Sequence, residues 1–223
     1  MREHPLLFNG PMVRAILAGQ KTQTRRVMKH QPRSVLVPGV GPMLAVQKAK
    51  GTDRWLWPNA REQVIGECPF GKPGDLLWVR ETWRPQTIHS CAMDTCDCDS
   101  LGVTYAADGE WIPYTWWNEK RIDDDWYMPA SAARGNVPSI HMPRWACRLI
   151  LEITAVRVER LHAISEADAI AEGAPAATET SELRWQHYVP HARGFINLWN
   201  STGGDWDSNP WVWVIEFKVV SNG

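Results

Sequence analysis

The chain has 223 residues, enough for one domain with insertions or two small ones, and its 44% hydrophobic content suffices for a real core. A net charge of −1 argues against a general nucleic-acid coat, and no apolar run approaches the ~20 residues of a membrane helix. The start, Met1 to Pro5, lacks the apolar core of a signal peptide, and five Cys is an odd count for a disulfide framework, so a reducing cytoplasm is the expected location.

Leu6, Leu7 and Phe8 predict a first strand leading into a helix over 11–18. Pro11 suits the first helical position, Met12, Val13, Ile16 and Leu17 form one apolar face, and Gly19 can end the helix in the left-handed conformation. A strand follows, ending near Lys29. Thr22, Thr24 and Arg26 share one of its faces, Gln23 and Arg25 the other, and Lys21 sits in the turn before it. Local pattern alone leaves two readings open here: a site, or an ordinary helix-to-strand joint with solvated polar residues. Gln31-Pro32-Arg33 is a break. Residues 34–65 hold apolar pieces cut by Pro38-Gly39 and Gly41-Pro42, which predicts a hairpin or a long irregular loop, with an extended piece at Trp55-Leu56-Trp57.

Pro73-Gly74-Asp75 is a turn, and Leu76 to Thr82 behind it a nearly continuous apolar strand with Arg80 and Glu81 at its exit. Residues 84–140 show little periodicity; strand-like pieces occur only at 102–106 and 111–114, and the segment reads as an irregular insertion. A long strand over 146–161 changes parity near Ala155-Val156, which predicts a bulge. Ser165 to Asp168 opens a short helix as a capping box, and Gly173 closes it. A helical turn at 183–188, a helix over 192–200, a loop over 201–210 and a last strand over 211–219 complete the chain.

Fourteen Trp anchor a core or stack on nucleobases. Trp83, Trp116, Trp117 and Trp145 lie in or beside irregular stretches and are the stacking candidates. Residues 4–52 contain no Asp or Glu but eight Lys and Arg, a field that would draw a phosphate-bearing ligand; residues 86–133 carry nine acids against Lys120 and Arg121. His89, Cys91, Cys96 and Cys98 offer an alternative zinc set, although only one residue separates Cys96 from Cys98; a reduced solvent-facing loop is the other reading.

The string Ile16-Leu17-Ala18-Gly19-Gln20-Lys21-Thr22-Gln23-Thr24-Arg25-Arg26 resembles the signature of the ASCH domain, a small barrel of the PUA-like superfamily. Pro73 to Val79, Leu151 to Val156 with Ser165 to Gly173, and Trp211 to Phe217 follow in the family's order. The resemblance leaves 34–65 and 84–140 uncovered and is strongest to the long phage and prophage-type members. It implies an α+β fold: a mixed β-barrel whose mouth is flanked by the helices 11–18 and 165–172. One domain would span 1–223, with the insertion at about 84–140 folded over that mouth.

The resemblance also implies a ligand, a modified cytidine or RNA, and no cofactor. The family's best-defined activity is amide hydrolysis of N4-acetylcytidine, and its catalytic residues match Lys21, Thr24 and Glu172, with Glu166 the runner-up. Such chemistry needs a nucleophile, a base and an acid for the leaving amine, and it requires no metal. A Thr hydroxyl needs a neighbour to take its proton, which Lys21 can do if burial lowers its pKa. A carboxylate in the last turn of a helix, such as Glu172, faces the negative end of the dipole, which favours proton shuttling. Thr22, Arg25, Arg26, Glu81 and Trp83 are the expected substrate contacts, with Arg26 preferred over Arg25 because it shares the Thr24 face. The alternative is an RNA- or nucleic-acid-binding module, or a nuclease, with no amidohydrolase turnover.

Overall fold

The computed structural model describes residues 1–47, 53–57, 65–89, 99–114, 135–177, 185 and 187–222. It is mixed α+β. In chain order the elements are β1 (Glu3–Leu7), α1 (Gly10–Leu17), β2 (Gln23–Val27), β3 (Arg33–Val37), β4 (Gly41–Gln47), β5 (Asp53–Trp57), β6 (Leu76–Arg80) and β7 (Trp83–His89). They continue with β8 (Asp99–Tyr105), β9 (Trp111–Tyr114), β10 (Leu149–Arg160), α2 (Glu166–Ala171), α3 (Pro190–Ser201) and β11 (Trp211–Asn222). The largest sheet has the order β1-β6-β10-β11-β2. β1 and β2 are its edges, so among the described residues it is open, where a closed barrel was expected. No described helix is long and apolar enough to cross a membrane.

Contact density divides the chain into two units, one made of Met1–Arg2, Gly19–Leu76 and Glu152–Lys218, the other of Glu3–Ala18, Leu77–Leu151 and Val219–Gly223. In the first, β2 runs antiparallel to β11, with Thr24 opposite Ile215 and Gln23 opposite Glu216. α2 and α3 enclose a core of Leu161, Ala169, Trp185, Phe195, Ile196, Trp206, Val212 and Val214. Where a hairpin or a long irregular loop is expected over 34–65, the strands β3, β4 and β5 form an antiparallel sheet. Its first turn places Pro38 and then Gly39 at φ 76°, with Val40 N–H bonded to the Val37 carbonyl at 3.1 Å. Pro followed by a positive-φ Gly is the type II pattern. Along β10 the buried positions are odd through Ile153 and even from Val156, which is the parity change expected of a bulge there.

The second unit holds α1, whose N-terminus is capped by the Asn9 side chain accepting from Met12 N–H at 3.0 Å. It also holds the antiparallel sheet β7-β8-β9, which corrects the expectation that 84–140 is an irregular insertion with strand-like pieces only at 102–106 and 111–114: Trp83 pairs with Tyr105 and the register runs to His89 opposite Asp99. Pro85 hid β7 from pattern reading, while β9 reads as strand-like despite Pro113. Both prolines lie on the outer strands of the sheet, where a missing N–H costs no ladder bond. Gly102 in the central strand is a packing requirement, because a Cβ there would come within 2.1 Å of the Trp111 ring. Trp83, Val103, Tyr105, Ile112, Val137, Met142 and Ala146 form the core of this unit.

Candidate active site

Two glycine-ended helices leave their next residues in extended chain. Gly19 (φ 70°) follows α1 and Gly173 (φ 72°) follows α2. Ser165 caps α2 by accepting from Asp168 N–H, and the Asp168 carboxylate accepts from Ser165 N–H in return, the predicted capping box. Gly173 and Ala174 N–H then bond back to the Ile170 and Ala169 carbonyls, which turns the chain away at Glu172. Lys21 and Glu172 meet there as an antiparallel bridge, continued by Thr22 N–H donating to the Ala171 carbonyl at 2.8 Å.

The side chains close the same contact. Lys21 Nζ donates to Glu172 Oε2 at 2.7 Å and to the Glu172 carbonyl at 2.8 Å. Arg25 Nη1 donates to the other carboxylate oxygen at 3.2 Å. Lys21, Arg25 and Glu172 are all buried, at 1%, 3% and 3% exposure. Removal from water pushes the Lys21 ammonium below its ordinary 10.5; the Glu172 charge and hydrogen bond oppose this, and Arg26 and Arg25 add to it.

Behind this pair stands a charge network. Arg25 Nη2 lies 3.4 Å from both Glu159 and Asp168. Arg157 bonds Glu159 at 2.5 Å, Gln23 Oε1 at 3.0 Å, and also Glu216 and Asp168. β10 and β11 therefore supply Arg157, Glu159 and Glu216, none of which the sequence reading picked out. The available signal was the polar positions 157 and 159 alternating with Val156 and Val158.

Several expectations about individual residues change. Arg25 touches the Glu172 carboxylate; Arg26 is half-buried, and its charge acts on Lys21 and Glu172. Thr24 is buried at 2% exposure, on the opposite face of β2 from Gln23 and Arg25, while Thr22 is exposed. Glu166 is turned to α3, where its carboxylate accepts from the His191 and Ala192 backbone N–H groups and lies 2.7 Å from His191 Nδ1.

Glu81 and Trp83 belong to the second unit and are both spoken for there. Glu81 is buried and bonded twice by Arg148 at 2.9 Å. Trp83 has no exposed surface and packs edge-on against Trp145, with ring centres 5.9 Å apart. A ring sealed on all sides cannot stack on a base, so its expected substrate contact is withdrawn.

Cys91, Cys96, Cys98, Trp116, Trp117 and the His89 side chain lie outside the described residues. Among the described residues no group of three His, Cys, Asp or Glu forms a metal-binding cluster. Cys68 and Cys147 are free thiols, each pushed up to about 11 by burial.

A neutral Lys21 amine would keep two N–H bonds to Glu172 and turn its lone pair elsewhere, as a general base must. No family model, curated protein or solved structure matches this chain.

Proposed function

We propose that the chain is an ASCH-type, PUA-like amidohydrolase that removes the acyl group from N4-acylated cytosine nucleosides or a closely related modified nucleoside. The observation that carries this reading is the buried contact of Lys21 with Glu172 across 151 positions of sequence. A buried ion pair is weak as a source of stability, so its presence calls for another reason. A lysine held below its ordinary pKa beside a carboxylate is a proton-transfer device.

In the reaction the Lys21 lone pair accepts a proton from the Thr24 hydroxyl, or from water positioned by it. The freed oxygen attacks the acyl carbonyl carbon, and the C=O π pair moves onto oxygen. Arg26, on the Thr24 face, holds that oxyanion. Collapse breaks the bond to the cytosine exocyclic nitrogen, which leaves as the amine after protonation through Lys21 and Glu172. The acyl group leaves as a carboxylate, directly when water attacks, or after hydrolysis of the ester when Thr24 does.

The test is to incubate pure protein with N4-acetylcytidine and N4-benzoylcytidine and follow the ultraviolet shift to cytidine. Conversion abolished in Lys21→Arg supports the reading. No conversion, together with RNA binding that weakens steeply with salt, would replace it by a nucleic-acid-binding module.

A further inference from the structure

The β3–β4 hairpin ends in an apolar tip that its own fold does not require. Leu36 is 78% exposed and Val40 66%, and Pro38 and Gly39 between them are exposed as well. A Cβ at Gly39 or Gly41 would meet no atom within 4 Å among the described residues, so the tip stands in open space. The turn needs only Pro38 and the positive-φ Gly39. Ser, Asn or Asp would serve equally well beside them. The buried positions of β4 are filled by Met43 and Ala45, which leaves Leu36 and Val40 without a part in the core. A run of exposed apolar residues at a loop tip points to something that takes it up.

The charge around this tip has one sign. Residues 4–52 contain no Asp or Glu, and 34–47 no charged residue of either sign. Lys29, His30 and Arg33 precede the hairpin and are all exposed. Arg33 lies about 10 Å from Leu36 along an extended chain. An apolar end backed by cations at that depth matches the layers of a lipid surface. Interfacial segments bury their apolar side by about 5–10 Å, with Lys and Arg level with anionic headgroups. A ribbon that follows a nucleic-acid duplex needs cations along its arms to meet successive phosphates, and these arms carry none. A protein groove would take the apolar tip but gives the one-signed charge no role. Pro38 has no N–H, and the Val40 N–H is bonded to the Val37 carbonyl, so entry strands little backbone polarity.

We infer that the β3–β4 hairpin is a docking arm for an anionic lipid bilayer, with Leu36 and Val40 at the acyl boundary and Lys29 and Arg33 at the headgroup phosphates. This docking is independent of the amidohydrolase reading above. Two weak signals act together in it, since a short apolar insertion alone binds only marginally.

The experiment is co-sedimentation of the full chain with vesicles of phosphatidylcholine alone and of phosphatidylcholine mixed with phosphatidylserine. Wild type should pellet with the mixed vesicles and hardly with the neutral ones, and added salt should weaken the binding. Leu36→Ser combined with Val40→Ser should lower the partition coefficient on the order of tenfold or more. Lys29→Gln combined with Arg33→Gln should remove the preference for phosphatidylserine. All four positions are exposed, so thermal melts of these variants should match wild type. Leu36→Phe keeps the tip apolar and should retain binding, and it carries the test if the paired serine variant fails to fold. No pelleting of wild type with mixed vesicles overturns the proposal, and so does pelleting unchanged in the serine variant. A serine variant that still pellets but loses dimerisation, or loses retention on a nucleic-acid duplex, assigns the tip to a second copy or to nucleic acid instead.

Discussion

Arg25 donates to the one carboxylate oxygen of Glu172 that Lys21 does not hold. Both oxygens of a 3%-exposed carboxylate are therefore in contact with cations, and neither cation comes from a neighbouring turn of the same helix. The carboxylate is fixed in position from two sides.

Glu172→Gln should cost both stability and rate. It leaves the buried Lys21 without its counter-charge, while Arg25 keeps Glu159 and Asp168, and breaking such a buried pair typically costs about 3–5 kcal/mol. Urea unfolding measures the first effect. Turnover of N4-acetylcytidine, measured well below the unfolding range, should fall on the order of a hundredfold.

Thr24→Ala should leave substrate binding nearly intact and reduce kcat on the order of a hundredfold or more, whereas Thr24→Ser should retain most activity. Thr24 is buried rather than exposed, so the Ala variant should also lose about 1 kcal/mol. Steady-state kinetics beside a thermal melt separates the two. Full kcat in Thr24→Ala would remove the hydroxyl from the mechanism.

The activity of wild type should rise with pH along a limb set by Lys21. The folded pKa of Lys21 lies below 10.5 because burial disfavours its charged form. Below the folded value the native state bears the full cost of a buried ammonium. Between that value and 10.5 the native state holds fewer protons than the unfolded one, so stability also rises with pH there. Lys21→Arg should lack the limb, since a guanidinium keeps its proton, and should be nearly inactive. A pH–rate profile of both proteins decides this.

Glu166→Gln is the contrasting control. Its carboxylate serves the start of α3, so the change should cost about 1 kcal/mol of stability. kcat should stay near the wild-type value. A loss of rate equal to that of Glu172→Gln would show that the two carboxylates had been assigned the wrong way round.

Arg148→Met should destabilise the second unit by about 3–5 kcal/mol, because it strands the buried Glu81. Burial already pushes the Glu81 carboxyl above its ordinary 4.5, against the opposing bonds from Arg148. A carboxyl whose folded pKa is raised weakens the fold as pH climbs from 4.5 through the folded value. Without Arg148 that loss should deepen, so the Tm gap between variant and wild type should widen from pH 4 to pH 7.

The local elements were legible in the sequence because their signals are short-range. Pro11 and Gly19 bound α1, the Ser165–Asp168 box opens α2, and the parity change in β10 marks its bend. Lys21, Thr24 and Glu172 were identifiable only by resemblance, and Arg26 was preferred by counting faces of an isolated strand. The reach of Arg25 to Glu172, with Glu159 and Asp168 behind it, depends on where β10 and α2 are brought, and no periodicity within β2 encodes that. The same holds for Glu81, whose partner lies 67 positions away, and for Trp83, whose burial depends on Val103, Val137 and Trp145 folding around it. Sequence alone determined where helices begin and strands alternate, since capping and pleat are properties of adjacent residues. Tertiary structure alone decided which charges meet, since burial and pairing depend on residues that only folding brings within reach.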